Sequence, residues 1–84
     1  MNLPKSAWGQ LRNKTADELV AALLKDGWAE DAGKGSIRVY RHPEGRRAVI
    51  HYHPQKTYGP KLLKSLFQDI GWSEADLRRL KLIR

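Results

Sequence analysis

A chain of 84 residues has room for one domain and buries only about 60% of the surface its unfolded form exposes. It contains no cysteine, so disulfide staples and thiolate metal sites are excluded and the fold must rest on its apolar core. The net charge is +7, and the excess is local: residues 34–64 hold eight Lys/Arg and one acid, the pattern expected of a protein that meets a phosphate backbone or an acidic partner.

Residues 1–14 contain Pro4, Ser6, Gly9, Gln10 and Asn13 and read as an arm, with a short turn at Ala7–Leu11 and with Trp8 and Leu11 pinning it to the body. Lys5, Arg12 and Lys14 fall here without an apolar run, so no secretory leader is expected and cytoplasmic residence is. No stretch approaches the roughly 18 apolar residues of a membrane span. Residues 15–84 read as a single domain.

Thr15-Ala16-Asp17-Glu18 is a capping box, in which Thr15 caps the helix and Glu18 reaches back to the Thr15 amide. Leu19, Val20, Leu23 and Leu24 recur at helical spacing, and Gly27 ends a helix over 16–26. Trp28 to Asp31 reads as a short first strand and Ala32-Gly33-Lys34-Gly35 as a turn. Ile37–Arg41 and Arg46–His53 read as strands joined through His42-Pro43-Glu44-Gly45 into an antiparallel hairpin. Pro54 stops the second of these strands.

Gln55–Gly59 reads as a loop, and Pro60 opens a helix whose Leu62, Leu63, Leu66, Phe67 and Ile70 form an apolar stripe closed by Gly71. Ser73 caps a last short helix over 74–79, from which Leu77, Leu80, Leu82 and Ile83 dock. A capped helix, a meander of three antiparallel strands and further helices on one sheet face make an α+β domain.

Alternation on the 46–53 strand puts Arg47, Val49, His51 and His53 on one face and Ala48, Ile50 and Tyr52 on the other. The second set suits the core. The first places two imidazoles beside guanidinium groups on the more open surface. Cleavage of RNA by its own 2′-hydroxyl needs a base for that proton, an acid for the leaving 5′-oxygen and cations for the phosphate. His51 and His53 flanked by arginine supply all three, although two histidines at i, i+2 on an exposed strand are also what a face that simply meets water carries. No acid lies near enough in sequence to complete a metal site with them, so no metal or other cofactor is expected.

Arg38, Arg41, Arg46 and Arg47 form the candidate RNA-binding block, and Lys56, Tyr58, Lys61 and Lys64 extend it. The arginines around the hairpin turn equally suit a solubilising edge. Pro60 leaves helix amides free for phosphate, with Lys61 and Lys64 one turn apart. Tyr58 either stacks a base or caps the core. Trp28 and Trp72 read as core. No helix-turn-helix with an exposed basic helix argues for DNA.

The order of these residues resembles the HicA family of small toxins. The resemblance rests on Lys25-Asp26-Gly27-Trp28, then Lys34-Gly35-Ser36, then Val39 through Arg47, then His53-Pro54, then the Leu-rich helix ending Ile70-Gly71-Trp72. It covers about residues 15–72. It implies a fold like that of double-stranded-RNA-binding domains, α-β-β-β-α with the helices on one face of a three-stranded sheet. It further implies metal-independent cleavage of mRNA by an endoribonuclease and neutralisation by a HicB antitoxin. In that family a catalytic histidine follows the Gly-Ser pair, whereas here Gly35-Ser36 is followed by Ile37-Arg38. Three readings stay open: the chemistry has moved to His51 or His53, the protein binds RNA without cutting it, or it is a partner-binding remnant.

Overall fold

A computed structural model describes residues 3–53 and 57–84. In chain order it contains α1 (Lys5–Leu11), α2 (Ala16–Lys25), β1 (Ala29–Lys34), β2 (Ile37–Arg41), β3 (Arg47–His51), α3 (Pro60–Ile70) and α4 (Glu74–Arg79). The expected stop at Pro54 lies outside the described residues.

The segment expected to be an arm is a helix. Pro4 precedes α1 in an extended conformation, and its carbonyl accepts the Ala7 amide at 3.0 Å. Ala7 and Leu11 are buried in the main core, and Trp8 packs against it. Helix α2 begins as expected, with the Thr15 side chain accepting the Glu18 amide at 3.3 Å. The other half of the expected capping box is replaced: the Glu18 carboxylate lies 3.3 Å from Lys14 Nζ. Leu24 faces solvent, while Leu19 and Leu23 are fully buried.

Helices α2 and α3 end in the same way. Gly27 and Gly71 take φ of +93° and +84°, values that an L side chain tolerates poorly. Each is followed by a tryptophan whose amide returns to the helix, Trp28 to the Leu23 carbonyl at 3.0 Å and Trp72 to the Phe67 carbonyl at 3.2 Å. Both indoles then donate to one carboxylate oxygen, Asp26 Oδ2, at 3.2 Å from Trp28 and 2.7 Å from Trp72. Arg79 of α4 closes the node on Asp26 Oδ1 at 2.6 Å. One aspartate therefore ties together the C-terminal ends of α2, α3 and α4.

The sheet has strand order β1-β2-β3, all antiparallel. Strand β1 (AEDAGK) contains no β-branched or aromatic residue, so its existence is owed to pairing with β2 rather than to propensity. Its register shifts between Glu30 and Ala32, a bulge at Asp31, after which it runs on to Lys34. The expected Ala32–Gly35 turn is accordingly reduced to Gly35-Ser36. The second turn is as expected: the Gly45 amide donates to the His42 carbonyl at 2.8 Å and the His42 amide to the Arg46 carbonyl at 2.9 Å.

Tyr40, Ala48 and Ile50 face the helices and are at most 1% exposed. They join Leu19, Leu23, Leu63, Phe67, Ile70 and Trp72 in a single cluster that also takes in Leu77, Leu80, Leu82 and Ile83. Ser73 and Asp76 form a reciprocal capping box at the start of α4. At its end the Leu82 amide bonds to the Leu77 carbonyl at 2.9 Å and the Lys81 amide to the Arg78 carbonyl at 3.0 Å. This geometry usually has glycine at the left-handed position, but here Lys81 holds φ of 62°, at a cost of about 1 kcal/mol.

Candidate functional site

The helix-free face of the sheet is read from the register. Ile37 stands opposite His51, Val39 opposite Val49 and Arg41 opposite Arg47. Arg41, Arg47 and His51 are exposed, as is Ile37 at 41%. Two arginines directly opposite each other repel. Arg41 is compensated by an ion pair with Asp31 in the bulge. Arg47 has no ion pair among the described residues.

His51 ends β3, and His53 lies two residues beyond it, about 7 Å further along if the chain stays extended. Both line one small cleft of about 130 Å³, together with Thr57, Tyr58 and Leu62. The cleft sits at the free edge of the sheet. There the Tyr58 hydroxyl donates to the His51 carbonyl and so occupies the edge-strand acceptor. Lys61 and Lys64, both exposed, rise from the first turns of α3 next to Leu62. Thr57 and Leu62 were not foreseen as site residues. Leu62 belongs to the apolar stripe by spacing, yet it is 49% exposed and turns toward the histidines.

Three of the expected RNA-binding residues have other work. The Tyr58 ring is buried at 8% exposure and burial pushes its phenol pKa up, so it offers no face to stack a base. Arg46 reaches across to the end of α3, where Nη1 donates to the Ile70 carbonyl at 2.6 Å. Its guanidinium lies 5.6 Å from the Trp28 ring centre, which makes it a helix cap and a cation–π partner rather than a free cation. Arg38, across from Ile50, points to the helix side of the sheet. Its guanidinium sits 3.8 Å over the Tyr52 ring and 4.0 Å from Glu30. Tyr52 in turn donates its hydroxyl to Asp17 in the first turn of α2, a bond that raises the phenol pKa. Arg38 therefore does not join the histidines.

Arg47 is on the same face as His51 but four residues away, about 13 Å along the strand, so the two would meet different phosphates. Lys56 lies outside the described residues. His42 packs edge-on against Trp28, with ring centres 5.2 Å apart, and its Nδ1 accepts the Glu44 amide at 3.2 Å, which fixes the hairpin turn. Of the histidines, the structure thus brings together His51 and His53; Lys61 and Lys64 flank Leu62 in the sequence of α3 and are not among the residues that line the cleft.

The fold is an α+β domain like those that bind double-stranded RNA, carrying an exposed histidine pair at a cationic sheet edge. Residues 16–72 match the family of HicA toxins of bacterial toxin–antitoxin systems, which is more than half of the chain, and the protein belongs to that family. No curated protein matches it. The matched segment runs from α2 to Trp72 and leaves α1 and α4 outside. No helix among the described residues is long and apolar enough to cross a membrane.

Proposed function

We propose that this toxin is a metal-independent endoribonuclease of the cytoplasm that cuts mRNA and is neutralised by a HicB-like antitoxin. The observation that carries the reading is the shared cleft of His51 and His53, directly across the strand from Ile37. Ile37 occupies the position at which the family resemblance places the catalytic histidine. A histidine on the neighbouring strand at the same level of the same face is the nearest replacement that the sheet offers.

In this reading one imidazole takes the proton of the ribose 2′-hydroxyl as its oxygen attacks the adjacent phosphorus. The other gives a proton to the 5′-oxygen as the P–O5′ bond breaks. The products are a 2′,3′-cyclic phosphate and a 5′-hydroxyl. Lys61 and Lys64 hold the phosphate charge as it grows. The separation of about 7 Å between the two histidine positions leaves room for a phosphodiester between them.

The exposure of Ile37 favours a second reading, a module that retains the RNA or antitoxin surface without the reaction. Incubation of a long single-stranded RNA with the protein in EDTA separates the two, with a His51→Ala/His53→Ala variant alongside and binding followed by gel shift. Cleavage by the wild type, with a loss of at least roughly 100-fold in the variant and binding retained by both, is the expected result. Equal cleavage by both proteins would clear the histidines. Binding without cleavage by either would establish the second reading.

A further inference from the structure

A larger cleft, of about 820 Å³, opens between α1 and the segment that follows α4. Its walls carry Lys14, Arg78, Lys81 and Arg84 with Ser6 and Gln10, Arg78 donating to the Arg84 main-chain oxygen, and no Asp or Glu among the described residues lines it. We propose that this cleft binds the sugar–phosphate backbone of the RNA strand as it passes beyond the His51/His53 cleft. The proposal rests on the RNA reading above and assigns a binding role to the elements outside the family match.

The two clefts adjoin. Lys14 lines the larger one, and its carbonyl accepts the Tyr58 amide at 3.3 Å. The next residue, Thr15, is bridged to Thr57. Thr57 and Tyr58 line the histidine cleft. A strand leaving the histidines along this side therefore meets cations again within a few residues.

The lining favours backbone over any other ligand. Leu82 and Ile83 form the floor but are only 4% exposed, so a peptide would find little apolar surface to bury. Among the described residues no aromatic ring lines the cleft, so bases have nothing there to stack on. What remains is charge, the sequence-independent part of nucleic-acid binding. Glu18 and Glu74 pair with Lys14 and Arg78. Lys81 and Arg84 have no ion pair among the described residues. Lys81 also stands at the left-handed position where glycine would relieve the backbone. Lysine at this position keeps a charge in the cleft that glycine, the residue the backbone favours, would not supply.

The test uses non-cleavable 2′-O-methyl RNAs of about 4 and about 16 nucleotides, which cover one cleft and both. Fluorescence anisotropy is read for the wild type and Lys81→Gly, with a melting curve for each. The expected result is a Lys81→Gly protein that melts higher than the wild type, binds the short RNA equally and binds the long RNA roughly 3- to 10-fold more weakly. A higher melting point with unchanged affinity for the long RNA overturns the proposal. So does weaker binding of labelled polyglutamate, read by the same anisotropy, by Lys81→Gly with unchanged RNA affinity, which assigns the cleft to an acidic protein. A wild type that binds neither RNA overturns the RNA reading itself, and this proposal with it.

Discussion

Asp26→Ala is expected to lower the melting temperature by roughly 12–24 °C. The carboxylate is 14% exposed, and its Oδ2 is the acceptor for both indole N–H groups, of Trp28 and Trp72, which are 2% and 3% exposed. Alanine leaves two buried donors without a partner, at about 1–3 kcal/mol each. The Arg79 pair is half in solvent and adds little. A total near 3 kcal/mol, at about 4–8 °C per kcal/mol for a chain of this length, gives the stated range. It is a large fraction of the roughly 5–15 kcal/mol that holds such a domain together. A loss under about 4 °C would show that water reaches both indoles.

The same node sets the acid limit. Burial alone would raise the Asp26 pKa, but hydrogen bonds from Trp72, Arg79 and Trp28 outweigh it and hold the carboxyl below its ordinary 3.8. Asp76 is also lowered, first by the Ser73 amide. A carboxylate whose pKa is depressed by folding contributes stability above its unfolded pKa and loses it as pH falls through the folded value. Stability should therefore drop below about pH 4. Asp26→Asn, which keeps an acceptor oxygen but no charge, should flatten that limb in thermal melts.

Ile37→His is expected to raise RNA cleavage in EDTA by roughly 100-fold or more, the usual scale of one well-placed acid or base. The substitution puts an imidazole at the family's histidine position, across the register from His51. The site is 41% exposed, so the fold should tolerate the change within about 0.5 kcal/mol. Unchanged cleavage by a folded variant would mean that the open face of the sheet is not where the RNA reacts, and it would weaken the assignment of His51. A gain that disappears on adding His51→Ala would place both residues in one reaction.

Most of the fold could be read from local signals. The Thr15 cap, the Gly-Trp helix ends, Pro60 and the Ser73–Asp76 pair each act within a few residues, and the elements they bound lie where spacing predicts. Helix α1 was not legible because Gly9 interrupts it and Pro4 supplies no side-chain cap; its helicity comes from burial of Ala7 and Leu11. The length of β1 was hidden by the bulge at Asp31. For the site, alternation put His51 on the open face, but it could not show that His53 lies past the strand end in the same cleft. The roles of Arg46 and Arg38 depend on Ile70, Trp28 and Tyr52, which only the tertiary fold brings close. The cleft beside α4 left no local trace apart from a lysine where glycine would suit.

The Arg84 amide donates to Gln10 Oε1 at 2.6 Å, a contact that spans 74 positions of the chain. Closing so long a loop costs entropy that the local turns of the β-meander do not incur. The contact joins α1 to the segment that follows α4, at a cost that only the assembled core offsets. Amide protons of α1 and α4 would exchange with solvent as one cooperative unit, opening while the sheet and the two helices on it stay closed.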